Sequence, residues 1–191
     1  MKLRSRVQFA PETTDAELFA ALSRGDLSPL GVLFDRYCDD VRQFFQRAAP
    51  LSADVDDLVQ ETFLTAARAA GSYDGREVAR PFLIGVGAQL LRHRRRNLGR
   101  LFGLLEAFGS APVPHPATPE DAVGLAKEST RLHAAMARLS EDRRLVLVMV
   151  EWQGMSGIEV AKALGLPPGT VWRRLHEARR MLRRTLERGA R

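Results

Sequence analysis

The sequence predicts an all-α protein built from two small helical domains that a flexible linker joins. Apolar residues recur at three- and four-residue spacing through most of the 191 residues, which is the pattern of amphipathic helices. No segment with strand character has a visible partner strand. Four prolines between Ala111 and Pro119 interrupt the helical pattern and predict a linker. An apolar fraction of 45% with 27% charged residues is enough to bury a core and excludes a disordered chain.

Two short sequence signals define the first helices. Thr14 and Glu17 have the spacing of a capping box, so we expect a short helix that begins there and ends near Gly25. Ser28–Pro29 is typical of a helix start, with serine as the cap and proline at the first helical position. Apolar residues then follow at helical spacing until Pro50, where the second helix must stop.

The third and fourth helices follow. Asp54 precedes a run with one apolar face, and Gly71 stands where a glycine commonly ends a helix. Pro81–Arg96 is predicted as the fourth helix, although its two glycines each weaken a helix by about 1 kcal/mol. A strand over Phe82–Val86 is the competing local interpretation, and the lack of a partner strand favours the helix.

The second half of the chain predicts four more helices, over residues 118–139, 140–153, 156–164 and 168–186. Ser140 is the expected cap of the second of these, and Ser156 with Glu159 forms another capping box. The resulting domain prediction is an N-terminal domain over residues 14–97, a linker over 98–119 and a C-terminal domain over 120–188.

The positive charge is concentrated at the C-terminus. Lys and Arg number 29 against 23 Asp and Glu, a net charge of +6. Trp172–Arg191 holds eight arginines and two glutamates and therefore carries the whole excess. Such an asymmetric charge indicates contact with nucleic acid or another anionic surface.

The last two helices have the form of a helix-turn-helix, with a short capped helix, a glycine-containing turn and a long basic helix. At 100° per residue, its apolar residues face inward, so Arg173 and Arg180 should point outward with His176 beside them. Trp172, Arg174 and Arg179 should lie on the flanks. Outward residues of such a helix reach base edges and flanking residues reach phosphates, whereas a basic helix packed on its own bundle is the alternative.

Acidic residues crowd the start of the third helix, at Asp54, Asp56, Asp57 and Glu61. They complement the helix dipole, which explains much of the pattern without any partner. A metal site is a poor fit because no further ligand can be placed with Asp54 and Asp57. A protein-docking face is the third interpretation.

A second basic cluster follows the fourth helix start and contains Arg92, Arg94, Arg95, Arg96 and Arg100. Aromatic residues lie upstream of it. Proteins that bind single-stranded DNA combine aromatic side chains, which stack on nucleobases, with basic side chains, which contact the phosphates. The alternative is a solvated helix end whose arginines complement the helix dipole.

Several function classes are not supported. A single cysteine, Cys38, excludes an internal disulfide framework. The longest purely apolar run, Leu145–Val150, is far shorter than the ~20 residues that span a bilayer, and no secretory signal begins the chain. No nucleophile–base pair, phosphate-binding loop or metal set appears, so we expect neither an enzyme nor a cofactor, and we expect the cytoplasm.

Two motifs carry a family resemblance. Asp54–Phe63, with the sequence DVDDLVQETF, resembles the most recognisable motif of the extracytoplasmic-function group of bacterial RNA polymerase sigma factors. Gly169–Val171 and the RLH and AR segments after them are similar to the recognition helix of that family's helix-turn-helix. The resemblance covers about residues 16–96 and 132–186.

The resemblance implies a promoter-specificity subunit that binds core RNA polymerase through its β′ and β subunits, binds promoter DNA, and is held by an anti-sigma protein. The implied polymerase contacts are Asp54, Asp57, Leu58, Gln60, Glu61 and Phe63. The implied contacts to the melted −10 element are Tyr73, Arg80, Phe82, Arg92, Arg95 and Arg96. The implied contacts to the −35 element are Thr170, Trp172, Arg173, Arg174, His176, Arg179 and Arg180.

Some positions depart from the family pattern. Phe82 stands where tryptophan is usual after the −10 loop, and Trp172 replaces a common lysine. Two alternatives stay open at the level of sequence: a transcription activator that uses only its helix-turn-helix, and a sigma-like decoy that initiates nothing.

Overall fold

The computed structural model describes residues 9, 12–49, 53–75, 78–107, 132 and 134–188, and every regular element within them is helical. This confirms the all-α prediction. The helices are α1 (Asp15–Ser23), α2 (Pro29–Ala48), α3 (Val55–Arg68), α4 (Arg80–Ala107), α5 (Glu141–Glu151), α6 (Gly157–Leu164) and α7 (Pro168–Arg188), with a 3₁₀ turn at Ala70–Ser72. None of the described helices combines the length and apolar character needed to cross a bilayer.

Both predicted capping boxes are present. The Thr14 hydroxyl accepts from the Glu17 amide at the start of α1, and the Glu17 carboxylate accepts from the Thr14 amide in return. Ser156 and Glu159 form the same reciprocal pair at α6. Gly165 ends α6 with φ +63°, a left-handed conformation that glycine adopts without steric cost.

The side-chain caps predicted at Ser28 and Ser140 do not form. Ser28 has helical backbone angles, and its hydroxyl donates to the Asp26 carboxylate at 2.7 Å instead of capping α2. Ser140 precedes α5 but its side chain caps no backbone amide. A serine before a helix therefore indicated the right boundary in both places without supplying the expected bond.

The fourth helix is longer than predicted. α4 begins at Arg80 and continues to Ala107, so the strand alternative over Phe82–Val86 is wrong and the first part of the expected linker is helical. The physical reason is that no proline occurs after Arg96 until Pro112, and nothing in between forces the helix to stop. The rest of the expected linker, residues 108–119, lies outside the described residues, as does most of the helix expected over 118–139, although residues 134–137 are helical.

The N-terminal core is a bundle of α1 to α4 around large apolar side chains. Phe19, Phe44 and Leu58 are almost fully buried there. Gly87 brings α4 close to α2, because a Cβ at this position would lie 2.9 Å from Phe45 Cζ. The glycine that weakens α4 as an isolated helix thus permits its packing.

A buried carboxylate ties three elements of this bundle together. Asp15 at the start of α1 has a side chain only 3% exposed. It accepts from Arg36 Nη1 at 2.9 Å and from the Tyr37 hydroxyl, both on α2. Its Oδ2 also accepts from the Ala79 amide at 2.7 Å, immediately before α4.

The C-terminal helices pack around buried residues of α5, α6 and α7, and they also pack on the N-terminal bundle. Gly85 of α4 permits this second contact, because its Cβ would lie 3.1 Å from the Ala163 Cβ of α6. Across the same boundary, Gln89 Nε2 donates to the Ala163 carbonyl at 2.7 Å and Arg144 Nε donates to the Ala48 carbonyl at 2.9 Å. The buried residues of both halves form one continuous cluster.

Candidate nucleic-acid interface

The recognition helix α7 has the orientation that its apolar spacing predicts. Val171, Leu175 and Ala178 are at most 1% exposed and face α5 and α6. Arg173 and Arg180 are exposed on the opposite side. The outward face of a basic helix in a helix-turn-helix is therefore open to solvent.

The arginines of α7 divide into paired and unpaired groups. Arg174 Nη2 lies 3.0 Å from an Asp142 carboxylate oxygen, and Arg179 Nε donates to Glu151 at 2.7 Å. Both acids belong to α5. Arg173 and Arg180 form no ion pair within 4 Å with any residue that the structure describes, and their guanidinium groups are open to a partner. The remaining predicted residues are also near this face, with His176 exposed and Thr170 half-buried.

An ion pair braces α7 against α5 beside the exposed arginines. Arg143 Nε donates to Glu177 Oε2 at 2.8 Å. The hydrogen bond from Arg143 is the main reason that the pKa of the Glu177 carboxyl lies below its usual range, and the nearby charges of Arg173 and Arg180 act in the same direction. The single acid on this part of the helix is thus neutralised by α5.

The acidic face of α3 is partly as expected. Asp54 caps the helix by accepting the Asp57 amide at 3.1 Å, and Asp57 and Gln60 are exposed. Glu61 is half-exposed and forms an ion pair with Arg94 of α4. These polar side chains form one continuous, accessible surface.

Two residues of the predicted polymerase-binding set cannot contact a partner directly. Leu58 is fully buried and Phe63 is 2% exposed, with the Phe63 ring 5.0 Å from the Phe34 ring of α2. Both residues belong to the inward face of α3, and they pack this helix into the bundle.

The aromatic residues expected at the −10 element pack against α1. The Tyr73 ring stacks on Phe19 with ring centres 4.3 Å apart, and Phe82 meets the edge of Phe19 at 5.3 Å. Tyr73 and Phe82 remain half-exposed. Both ends of the segment that joins the 3₁₀ turn to α4 are thus fixed on one ring.

The arginines expected at the −10 element contact the C-terminal half. Arg80 lies 2.9 Å from an Asp40 carboxylate oxygen and donates to Gln153 at 2.9 Å. Arg92 Nη1 donates to the Leu164 carbonyl at 2.6 Å. Arg95 Nη2 donates to Asp142 at 3.4 Å, whereas Arg96 is exposed.

A cavity of about 500 Å³ lies between α4 and α6, where these two halves meet. Phe82 and His93 of α4 line it together with Met155 from the other half. Lys162 forms an ion pair with Asp74 at 2.6 Å on its rim. The cavity is therefore mostly apolar with charged groups at its edge.

Asp142, an acid that forms ion pairs with arginines of both halves, was not identified from the sequence. Asp142 contacts Arg95 of α4 and Arg174 of α7, and its only signal in the sequence is its place in the first turn of a helix. Burial raises the pKa of the neighbouring Glu141 carboxyl, and the positive charge of Arg95 opposes that rise. Among the described residues, no group of three or more His, Cys, Asp and Glu side chains is placed to hold a metal ion.

Comparison with known proteins gives two family matches. Residues 33–101 match Sigma-70 region 2, and residues 129–182 match Sigma-70, region 4. The chain is 32% identical over 177 residues to the ECF RNA polymerase sigma factor SigM of Mycobacterium tuberculosis, covering 92% of this chain and 86% of the relative. It is 31% identical over 185 residues to the RNA polymerase sigma factor CnrH of Cupriavidus metallidurans, covering 93% and 96%.

The fold is similar to a solved structure of the same kind. The structure of CnrH in complex with the cytosolic domain of CnrY matches with a TM-score of 0.62 and 27% identity, covering 91% of this chain and 97% of the other.

Proposed function

Because this chain belongs to the extracytoplasmic-function group of RNA polymerase sigma factors, its function is to direct promoter-specific transcription initiation, and we propose how its surfaces divide that task. The N-terminal bundle binds core polymerase and the −10 element. The C-terminal helix-turn-helix binds the −35 element as duplex.

The polymerase contact is the exposed part of α3. Asp54, Asp57 and Gln60 are accessible on one surface, and Glu61 lies at its edge. Leu58 and Phe63 support that surface from the core. The proposed partner at this surface is the β′ subunit of core polymerase.

The promoter contacts follow the exposed aromatics and arginines. Arg173, His176 and Arg180 lie on the open side of α7, where a recognition helix meets base edges in the major groove. Trp172 and Arg179 lie beside them. Tyr73, Phe82, Arg80, Arg92, Arg95 and Arg96 bind the melted −10 strand.

An anti-sigma protein is the proposed regulator. The similar solved structure is a complex of CnrH with the cytosolic domain of CnrY, and this supports an equivalent partner here. The proposed place of action is the cytoplasm, where core polymerase and the promoter are found.

The observation that carries the proposal is a pair of exposed arginines, Arg173 and Arg180, on the open side of a helix-turn-helix. Run-off transcription with purified core polymerase and a promoter library tests it. We expect promoter-dependent transcripts only when this chain is added. Core binding without transcripts would indicate the decoy, and DNA binding without core binding would indicate the activator, which leaves the match to Sigma-70 region 2 unexplained.

A further inference from the structure

An aromatic ring is seated on the backbone of the helix-turn-helix. A Cβ added to Gly157, the first residue of α6, would lie 2.5 Å from Trp172 Cζ2, 2.9 Å from Cε2 and 3.0 Å from Cη2. These distances are too short for any side chain, so the indole occupies the space that a residue at position 157 would otherwise fill. Gly157 has no positive φ, and its role is to leave room rather than to permit an unusual backbone.

The same ring is open to solvent on its other side. Trp172 is 53% exposed although one edge of its six-membered ring rests on α6. Ile158, the residue after Gly157, is 72% exposed. The exposed part of the Trp172 ring is therefore an apolar patch at the N-terminal end of α7, directly before Arg173 in the chain.

The charges around the patch indicate what it binds. Arg173 is exposed and forms no ion pair with the described residues, and Arg180 lies about two helical turns further along the same side. An apolar protein surface placed on Trp172 would bury the neighbouring Arg173 charge at a high cost. A nucleic acid offers phosphates to the arginines and an apolar group to the ring at once.

We propose that Trp172 is a specificity-determining residue that recognises a thymine of the −35 element through its 5-methyl group. The inference rests on the proposed binding of that element by α7, and it gives Trp172 a base contact in place of the phosphate contact expected from its flanking position. The thymine methyl is the apolar group that base pairs present in the major groove, and other base edges there present hydrogen-bonding atoms. The seat on Gly157 holds the ring in place before DNA arrives, which reduces the entropy lost on binding.

The experiment removes one methyl group at a time. Holoenzyme, assembled from core polymerase and this chain, first selects its −35 sequence from a randomised library. Each thymine of the selected element is then replaced by deoxyuridine, which lacks only the methyl group. We expect one or two replacements to weaken binding by about fourfold, the effect of burying one such group.

Variants of the chain test whether this loss of promoter affinity depends on the Trp172 ring. Trp172→Ala should bind the thymine and deoxyuridine promoters equally. Gly157→Ala should reduce the methyl effect, since its Cβ displaces the ring. Gly31→Ala in α2 is the matched control, because a Cβ there meets nothing within 4 Å, and it should leave the methyl effect unchanged.

A fluorescence measurement shows whether the ring has moved while the fold is retained. The chain has two tryptophans, so Trp152→Phe leaves Trp172 as the sole tryptophan, whose emission can be excited selectively over that of the tyrosines. Adding Gly157→Ala to that background should shift the emission to the red, with the helical circular dichroism signal unchanged.

The possible outcomes distinguish a failure of this inference from a failure of the proposed −35 binding by α7. If holoenzyme selects no −35 sequence at all, the proposed binding by α7 is wrong. If it selects one but no thymine depends on its methyl group, or the dependence persists in Trp172→Ala, only the inference is overturned. The same conclusion follows if Trp172→Ala weakens core polymerase binding and leaves promoter selection intact, because Trp172 is then a protein contact.

Discussion

Replacing Asp15 with alanine removes the carboxylate that joins α1, α2 and the start of α4. The Ala79 amide is buried, and losing its 2.7 Å bond leaves a donor without a partner, which costs about 1–3 kcal/mol. The Tyr37 hydroxyl loses a charged acceptor, whereas Arg36 is 26% exposed and can turn to water. We expect a total loss of about 3–5 kcal/mol in the free energy of unfolding, as for a broken buried ion pair.

Two further substitutions calibrate that loss. Asp15→Asn keeps an oxygen that can accept from both Ala79 and Tyr37, so it should cost clearly less than Asp15→Ala. Glu17→Ala weakens the same helix through its capping box without touching α2 or α4, and it should cost clearly less than Asp15→Ala.

Thermal unfolding followed by circular dichroism measures all three variants. For a chain of this size about 1 kcal/mol lowers the melting temperature by 2–4 °C, so Asp15→Ala should lower it by about 6–20 °C. If Asp15→Ala is no worse than Glu17→Ala, the three bonds to Asp15 contribute nothing beyond helix capping and the reasoning fails.

Three other perturbations have defined outcomes. Asp57→Ala should weaken core polymerase binding on the order of tenfold at an unchanged melting temperature, and unchanged affinity in a fluorescence titration would contradict the α3 surface. Arg173→Ala should relax preference at one or two −35 positions by about 1–3 kcal/mol, whereas Arg179→Ala should weaken all sequences alike and reduce the log–log salt slope by about 0.9. Binding to a randomised library at two salt concentrations tests this pair, and exchanged effects would mean that the face is misassigned. Burial and the hydrogen bond to Asp15 raise the pKa of Tyr37, so its contribution to stability is complete below its unfolded value of about 10 and is lost as pH rises toward the folded value. Melting temperatures across this alkaline range should fall less in Tyr37→Phe than in the original chain, and equal slopes would refute the coupling.

Local signals predicted the local structure well. The Thr14–Glu17 and Ser156–Glu159 boxes need only residues three positions apart, and both form. The inward face of α7 follows from helical spacing alone. Ser28 failed as a cap because its backbone already has helical angles, φ −61° and ψ −31°, whereas a capping residue needs extended angles for its oxygen to accept a backbone amide.

Contacts between distant residues were not predictable in the same way. The family motif assigned Leu58 and Phe63 to the polymerase contact together with Asp57, because a motif specifies residue identity and says nothing about which side chains are exposed. The bond from Arg92 to the Leu164 carbonyl joins residues 72 positions apart, and nothing in either neighbourhood specifies the other. Gly85 lowers helix propensity, and only the approach of α6 explains its presence.

Under the proposed function, the contacts between the two halves make promoter affinity depend on a conformational equilibrium. Arg92 and Arg95 bond to the C-terminal half in this closed arrangement. If the two side chains bind the −10 strand as proposed, they must first exchange these partners for DNA in an open arrangement of the two halves. If the closed arrangement outnumbers the open one by about 100 to 1, the apparent affinity of the free chain for DNA falls by about the same factor. Core polymerase that binds only the open arrangement removes this penalty, and the two binding events are then positively cooperative.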